Sequence, residues 1–193
     1  PRTPATAALQ AGSLALVTGA SSGIGKAAAL QFAKNGLKVC VADIDQAELE
    51  RAAEEVKGVA AAGPDSVLAA VCDVSKEESV LALKAKVSEK YGVAPNVLMN
   101  NAGVGFGGGA LVKRDEWQKV IDVNLWGVIN GTQAFVPDMI AAKKPGLVIT
   151  TGSKQGITMP PGNLAYNVSK AAVKAFAEGL EHELRSSEGS QVR

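Results

Sequence analysis

Tyr166 and Lys170 stand four residues apart in a stretch of helical periodicity, so both side chains project from one face, a turn apart. A free phenol, with a pKa of about 10, is a poor base at neutral pH. An ammonium about 5 Å away, at an effective dielectric of about 20, is worth roughly 3 kcal/mol, about two pKa units, and draws the phenol toward its working range. Ser153 directly follows an apolar run, where its hydroxyl can donate to a substrate oxygen. The three residue types fit proton transfer at an alcohol or carbonyl oxygen: Tyr166 moves the proton, Lys170 tunes it and Ser153 holds the oxygen. Each alone is weak, since a Tyr/Lys pair on a helix is commonly a surface pair and a Ser after a strand commonly a turn residue.

A second constellation, Thr18-Gly19-Ala20-Ser21-Ser22-Gly23-Ile24-Gly25, joins an apolar run to a helical pattern. At such a turn the backbone N–H groups and the helix dipole face a pyrophosphate. Gly19 allows the tight turn, Gly23 the approach of backbone to phosphate, and Gly25 the packing of helix on strand, with Ser21, Ser22 and Ile24 completing the cradle. Without support this is an ordinary glycine-rich loop. Asp43 supplies the support: 18 residues beyond Gly25 and past the second apolar run, its carboxylate can accept both hydroxyls of an adenosine ribose. A 2′-phosphate there is repelled, and Ser22 and Ile44 offer it no positive charge, which points to NAD rather than NADP. Asp45 reads as a solvated turn acid or as the cap of the next helix.

These groups converge only if one scaffold brings them to a common edge. Short β-branched runs at residues 14–18, 38–42, 66–72, 96–100 and 146–151 alternate with helical patterns at 24–35, 46–62, 76–91, 113–142 and 163–187. The alternation predicts an α/β fold, a doubly wound parallel sheet of Rossmann type in three α/β/α layers, with ligands at the carboxyl ends of the strands. The first three runs are unbroken apolar strings, as expected of strands covered on both faces. Asn35-Gly36 is a helix stop, Pro137 predicts a kink or break in the fourth helix, and residues 105–109 read as a mobile loop. Gln191-Val192-Arg193 reads as the start of a sixth strand, so the expectation is a chain that lacks the last strands of its sheet. The whole of 1–193 is expected as a single domain, with residues 1–12 a loose extension.

Composition narrows the partners. With 193 residues, 47% hydrophobic and 20% charged, the chain can bury a core. Twenty basic residues against 19 acidic give a net charge of +1, and aromatics, at 4%, are not interleaved with basic clusters. The reading is therefore a small-molecule substrate, with no nucleic acid, no membrane and no metal. Cys40 and Cys72 sit in apolar runs without metal-ligand spacing and read as buried hydrophobes in a reduced compartment, consistent with the cytoplasm. An organelle is the alternative if the opening Pro1-Arg2-Thr3-Pro4-Ala5-Thr6 is the remnant of a targeting segment.

Taken together, the glycine turn, Asn100-Asn101-Ala102-Gly103 and Tyr166-Asn167-Val168-Ser169-Lys170 resemble the short-chain dehydrogenase/reductase family over nearly the whole chain. The resemblance implies an NAD(H)-dependent oxidoreductase interconverting a secondary alcohol and a ketone or aldehyde, with Tyr166 as general acid and base. It assigns cofactor contacts to Asp73 and Val74, to Asn101, Ala102 and Gly103, and to Tyr166 and Lys170 themselves. For Asn101 a purely structural role is an equal alternative. Asn124 matches a fourth catalytic residue, one that distorts or hydrates the long fourth helix. The resemblance also implies a homodimer or homotetramer through the fourth and fifth helices; the fourth carries Val120, Val123, Val128, Ile129 and Phe135 on more than one face, and residues 171–184 of the fifth are similarly apolar. Gln155, the Pro160-Pro161-Gly162 turn and Phe106 would line the substrate. Two other readings stand beside this one: a catalytically incomplete nucleotide-binding fragment, and a sugar-nucleotide epimerase or dehydratase, against which the length argues.

Overall fold

The computed structural model describes residues 5–193. Five parallel strands form one sheet in the order β3-β2-β1-β4-β5. They are β1 (Leu14–Thr18), β2 (Lys38–Asp43), β3 (Val67–Val71), β4 (Val97–Asn100) and β5 (Leu147–Thr150). Helices α1 (Gly23–Lys34), α2 (Gln46–Val59) and α3 (Glu77–Tyr91) connect the first four strands. Beyond β4 follow α4 (Arg114–Ile121), α5 (Gly127–Ala141), the short α6 (Gln155–Thr158) and α7 (Leu164–Ser186). This is the predicted doubly wound α/β architecture.

The period-2 geometry of β1 divides its side chains between two cores. Leu14 and Leu16 join Val80, Leu83, Val87, Leu98, Phe135, Met139 and Leu184 on the face covered by α3, α5 and α7. Val17 joins Ala29, Ala33, Val39, Val41, Leu49, Ala53 and Val56 under α1 and α2. Every residue of β1 is buried, as an apolar string between two helical layers requires. The same expectation is corrected for β3, where Ala69 and Val71 are exposed. Strand order explains the difference: β3 lies at the edge of the sheet, where the helical layers on its two faces cover it only in part.

Helix ends follow their local chemistry. Asp45 caps α2 by accepting the Glu48 N–H at 3.0 Å. Gly36, at φ +80°, closes α1, its N–H bonding Ala33 O at 3.0 Å while Leu37 N–H reaches Phe32 O at 3.1 Å. The fourth helix departs from expectation. It runs unbroken through Pro137 and is interrupted instead over residues 122–126, where one turn widens to the π form between α4 and α5. Residues 5–12 are not a loose extension: Ala5–Ala8 form a 3-10 turn, Ala8 is buried against Ala15, Leu37 and Val97, and Gly12 N–H bonds Gly36 O. The part of that reading that concerned residues 1–4 lies outside the described residues. Residues 105–109, expected as a mobile loop, carry a bridge from Gly108 to Asn163, and Leu164 N–H donates to Gly108 O at 3.0 Å. Beside β5, Gly146 forms a parallel bridge with Val192, which is fully buried, and Gly146 N–H bonds Gln191 O at 3.1 Å, so residues 191–193 pair along the outer side of β5.

One contact fixes how closely α5 approaches the sheet. Asn100, at the end of β4, donates from Nδ2 to Thr132 Oγ1 at 3.2 Å, while its Oδ1 is buried without a hydrogen bond. That oxygen rests against the bare Cα of Gly131, where a Cβ would lie 2.3 Å away. Gly131→Ala gains about 1 kcal/mol of helix propensity but must open this contact. The steric term wins, and the variant is expected to lose about 1–2 kcal/mol net, a Tm fall of about 2–4 °C per kcal/mol by thermal unfolding. An unchanged or raised Tm would show that α5 is not held at this distance.

Candidate active site

The carboxyl ends of β1, β2, β4 and β5 open onto one cleft of about 600 Å³. Gly19, Ser21, Ser22, Gly23 and Ile24 form its first wall, Asp43 and Asp73 with Val74 its far end, and Asn101, Ala102 and Gly103 its floor. Tyr166 and Lys170 stand at the other end. The residues anticipated for cofactor contact thus share one cavity, except Gly25, which lies behind the turn. Its place there is steric: a Cβ on Gly25 would lie 2.2 Å from Gly19 O and 2.5 Å from Asn101 Nδ2. Gly23, at φ +53°, is different: a Cβ there would meet nothing within 4 Å, so this side of the turn faces open space. Ser22 makes no side-chain cap to α1, which leaves the first N–H groups of the helix directed at the cleft without an internal partner.

Both acids at the far end are held by backbone and hydroxyl donors. Asp43 Oδ2 accepts Ser21 N–H at 2.9 Å and Ser21 Oγ–H at 2.5 Å, and Oδ1 accepts Ile44 N–H at 2.8 Å. Asp73 Oδ1 accepts Ser75 N–H at 3.0 Å and Ser75 Oγ–H at 2.7 Å. Ser21, named from sequence as part of the phosphate cradle, therefore also orients Asp43. Cys72 borders the cleft beside Asp73. Burial pushes its thiol and that of Cys40 above the ordinary value, in keeping with two buried free cysteines.

Asn101 is occupied by structure. Its Nδ2 donates to Thr18 O at 3.0 Å and Gly19 O at 3.1 Å, and its Oδ1 accepts Thr151 Oγ1–H at 3.0 Å. Of the two roles open from sequence, the side chain fills the structural one, while the residue still lines the cleft.

At the opposite end Lys170 is buried on α7, 4% exposed, and its Nζ lies 5.7 Å from the centre of the Tyr166 ring. The ammonium donates to Thr151 O at 2.8 Å and forms no salt bridge among the described residues. Burial holds it below the ordinary lysine value of 10.5. Gly105 backs Tyr166, a Cβ there falling 3.2 Å from Tyr166 Cδ2.

Asn124 and Ser153 stand just outside this lining. Asn124, in the π turn, is fully buried: Oδ1 accepts Val104 N–H at 2.7 Å, and Nδ2 donates to Val104 O at 2.9 Å and Ser169 Oγ at 3.0 Å. It clamps the loop beside Tyr166 to α7, and the distortion expected of the fourth helix is the widened turn that carries it. Ser153 Oγ accepts Gln155 N–H at 3.1 Å, and Gly156 seats α6 on the backbone of Lys170 and Ala171, where a Cβ would lie 2.7 Å away. Of the residues anticipated near the substrate, Phe106 is exposed beyond Gly105, but Gln155 turns inward and buries Oε1. Asn167 Nδ2 holds Pro160 O at 2.7 Å and so fixes the start of the Pro160-Pro161-Gly162 turn. Sequence reasoning missed Cys72, Val104, Gly105, Val123 and Thr151 as lining residues. Thr151 alone carried a usable signal, a hydroxyl just past the fifth strand.

The geometry agrees with the comparisons. A family model described as short chain dehydrogenase matches residues 13–192. SadH of Mycobacterium tuberculosis, named an oxidoreductase, is 36% identical over 176 residues, covering 90% of this chain and 61% of its own length. A crystal structure of a short chain dehydrogenase/reductase from Burkholderia phymatum in complex with NAD superposes with a TM-score of 0.89 at 36% identity, over 94% of this chain and 63% of that one. A metagenomic short-chain oxidoreductase in complex with NADP gives 0.85 at 36% identity, over 96% and 80%. The chain spans less than two thirds of the first two proteins, yet the match takes in the glycine turn, the Asn101 floor and the Tyr166/Lys170 helix, and on that ground it belongs to the short chain dehydrogenase family.

Proposed function

We propose that the cleft seats NAD(H) and that the protein interconverts a secondary alcohol and a ketone or aldehyde, with Tyr166 as general acid and base. The observation that carries this reading is the buried ammonium of Lys170, 5.7 Å over the Tyr166 ring, at the inner end of a cleft that begins at the glycine turn. The fit to a dinucleotide rests on the open side of Gly23, the uncapped first turn of α1 for a pyrophosphate, and Asp43 for the ribose. Bound nicotinamide supplies the hydride exchange. Tyr166 gives a proton to the carbonyl oxygen in reduction and takes it back in oxidation. Lys170 stabilises the phenolate between the two, and Ser153, whose Oγ accepts Gln155 N–H and among the described residues keeps its own O–H free, donates to the substrate oxygen. Asn124 keeps Val104 and α7 in register so that these groups stay aligned.

The preference for NAD rests on Asp43, fixed by Ser21 with no basic residue at Ser22 or Ile44. Pairing of two copies through α4, α5 and α7 belongs to the same reading. Val120, Val128 and Phe135 prove to be buried within the chain itself, so the support is narrower than the sequence implied and rests on Trp126 and Val168, 49% and 38% exposed. A second reading, nucleotide binding without turnover, is favoured by Ser153, which stands outside the cleft lining with its Oγ accepting Gln155 N–H.

Tyr166→Phe is expected to lower turnover of secondary alcohols about 10²- to 10⁴-fold while NADH affinity, read by fluorescence, changes less than about twofold. Near-normal turnover removes Tyr166 from the mechanism, and NADH binding by the unsubstituted chain with no turnover across an alcohol panel selects the second reading. Asp43→Ala combined with Ile44→Arg is expected to shift the NADH to NADPH affinity ratio at least about tenfold toward NADPH. A chain that already prefers NADPH overturns the role given to Asp43.

Lys170 gives a pH-dependent test. Its ammonium is buried with one backbone acceptor, a cost to the folded state that is present at neutral pH. Because the folded pKa is lowered, the unfolded chain binds the proton more tightly, and the cost fades as pH rises from that lowered value to 10.5. Lys170→Met is therefore expected to raise Tm by a few °C near pH 7, with a smaller gain above about pH 10, while abolishing turnover. A lowered Tm at neutral pH would show that the ammonium stabilises the fold.

A further inference from the structure

A polar string runs from the glycine turn to the lysine, and its middle member has no part in the chemistry proposed above. Asn101 Nδ2 holds the carbonyls of Thr18 and Gly19, Asn101 Oδ1 accepts the hydroxyl of Thr151, and Thr151 O accepts Lys170 Nζ. Thr151 thus meets the dinucleotide turn with its side chain and the catalytic end with its backbone. The other atoms at this junction are fixed independently. Asn101 N–H and Ala102 N–H both bond Thr18 Oγ1, at 3.0 and 3.2 Å, and Thr151 N–H bonds Asn100 O at 3.1 Å. Among the described residues it is the threonine hydroxyl that donates to Asn101 Oδ1, so a side chain without it leaves that acceptor unmatched.

We propose that Thr151 is a positioning residue that couples the seating of the dinucleotide turn to the placement of Lys170. Movement of the turn on cofactor binding reaches Asn101 first, through its two carbonyl contacts. Asn101 then bears on the Thr151 hydroxyl, and the carbonyl of the same residue sets where the ammonium sits over Tyr166. Without the hydroxyl the turn is free to shift and Lys170 stays tied only to the end of β5. The coupling is local, since every link is a single hydrogen bond of 2.8–3.1 Å.

This role for Thr151 rests on the dinucleotide reading in one of its tests and stands apart from it in the other. Thr151→Val keeps the side-chain shape and removes the hydroxyl, and Thr151→Ser keeps the hydroxyl and removes the methyl. In NADH titrations followed by fluorescence, the valine variant is expected to bind about tenfold more weakly and the serine variant within about twofold of the unsubstituted chain. Amide hydrogen exchange of the ligand-free protein is the second test: residues 19–25 are expected to exchange faster in Thr151→Val and at the original rate in Thr151→Ser, with other β1 and β2 amides unchanged. A general loss of protection in the valine variant, or unaltered exchange across 19–25, overturns the proposal. So does equal weakening by valine and serine, which is what packing alone would give. If the unsubstituted chain does not bind NADH, the cofactor reading fails, and the exchange measurement still decides whether Thr151 holds the turn.

Discussion

The two hydrogen bonds from Asn101 to the carbonyls of Thr18 and Gly19 are the constraint on which the site depends. In a parallel sheet the strands end with carbonyls pointing into the ligand cleft, and a turn built there needs donors from a neighbouring strand. β4 supplies them through one amide side chain. The same amide leaves no room for a Cβ at Gly25, so α1 must begin tight against the sheet, with its N-terminal amides at the cleft. A residue too short to reach, or one without an Nδ2, would free the turn and with it the direction of the helix.

The sheet, and the common edge to which it brings the candidate residues, were legible because they rest on period and spacing. Five apolar runs separated by helical patterns fix a parallel sheet, and the Tyr166/Lys170 interval holds on any helix. Burial was less legible. β3 has the same apolar string as β1, yet neighbours decide exposure, and strand order is a tertiary fact. Pro137 misled for a related reason: a proline costs a helix one hydrogen bond, which packing can absorb, whereas the widened turn at residues 122–126 arises where Asn124 satisfies Val104 and Ser169 at once. Hydrogen-bond partners across long separations left no trace in the sequence. Nothing in the spacing of Asn101 and Thr151 announces that they meet, nor that Gln155, expected beside the substrate, buries its Oε1.

Lys170 shows how function is set against stability in this fold. A lysine without a salt bridge among the described residues, buried under α6, is a poor choice for holding a protein together. In the function proposed above its place is explained by Tyr166, whose ring centre lies 5.7 Å from the ammonium. Much of the surrounding structure bears on that one side chain: Gly156 lets α6 pack on the backbone of the helix that carries it, Gly103 leaves the ammonium room, and Asn124 steadies the same helix.

Strand order also sets a sequence of events in assembly. The contact that orients Asp43 joins residues 22 apart, whereas those tying β1 to β4 and Asn101 to Gly19 join residues 82 apart. Closing the longer loop costs about 1 kcal/mol more in chain entropy, and in synthesis it must wait for β4 to emerge. The Asp43 end of the cleft is thus assembled from near neighbours early, while the glycine turn takes its shape only when β4 arrives. A nascent chain completes the two walls of this cleft in separate instalments, and the second waits for the strand that carries Asn101.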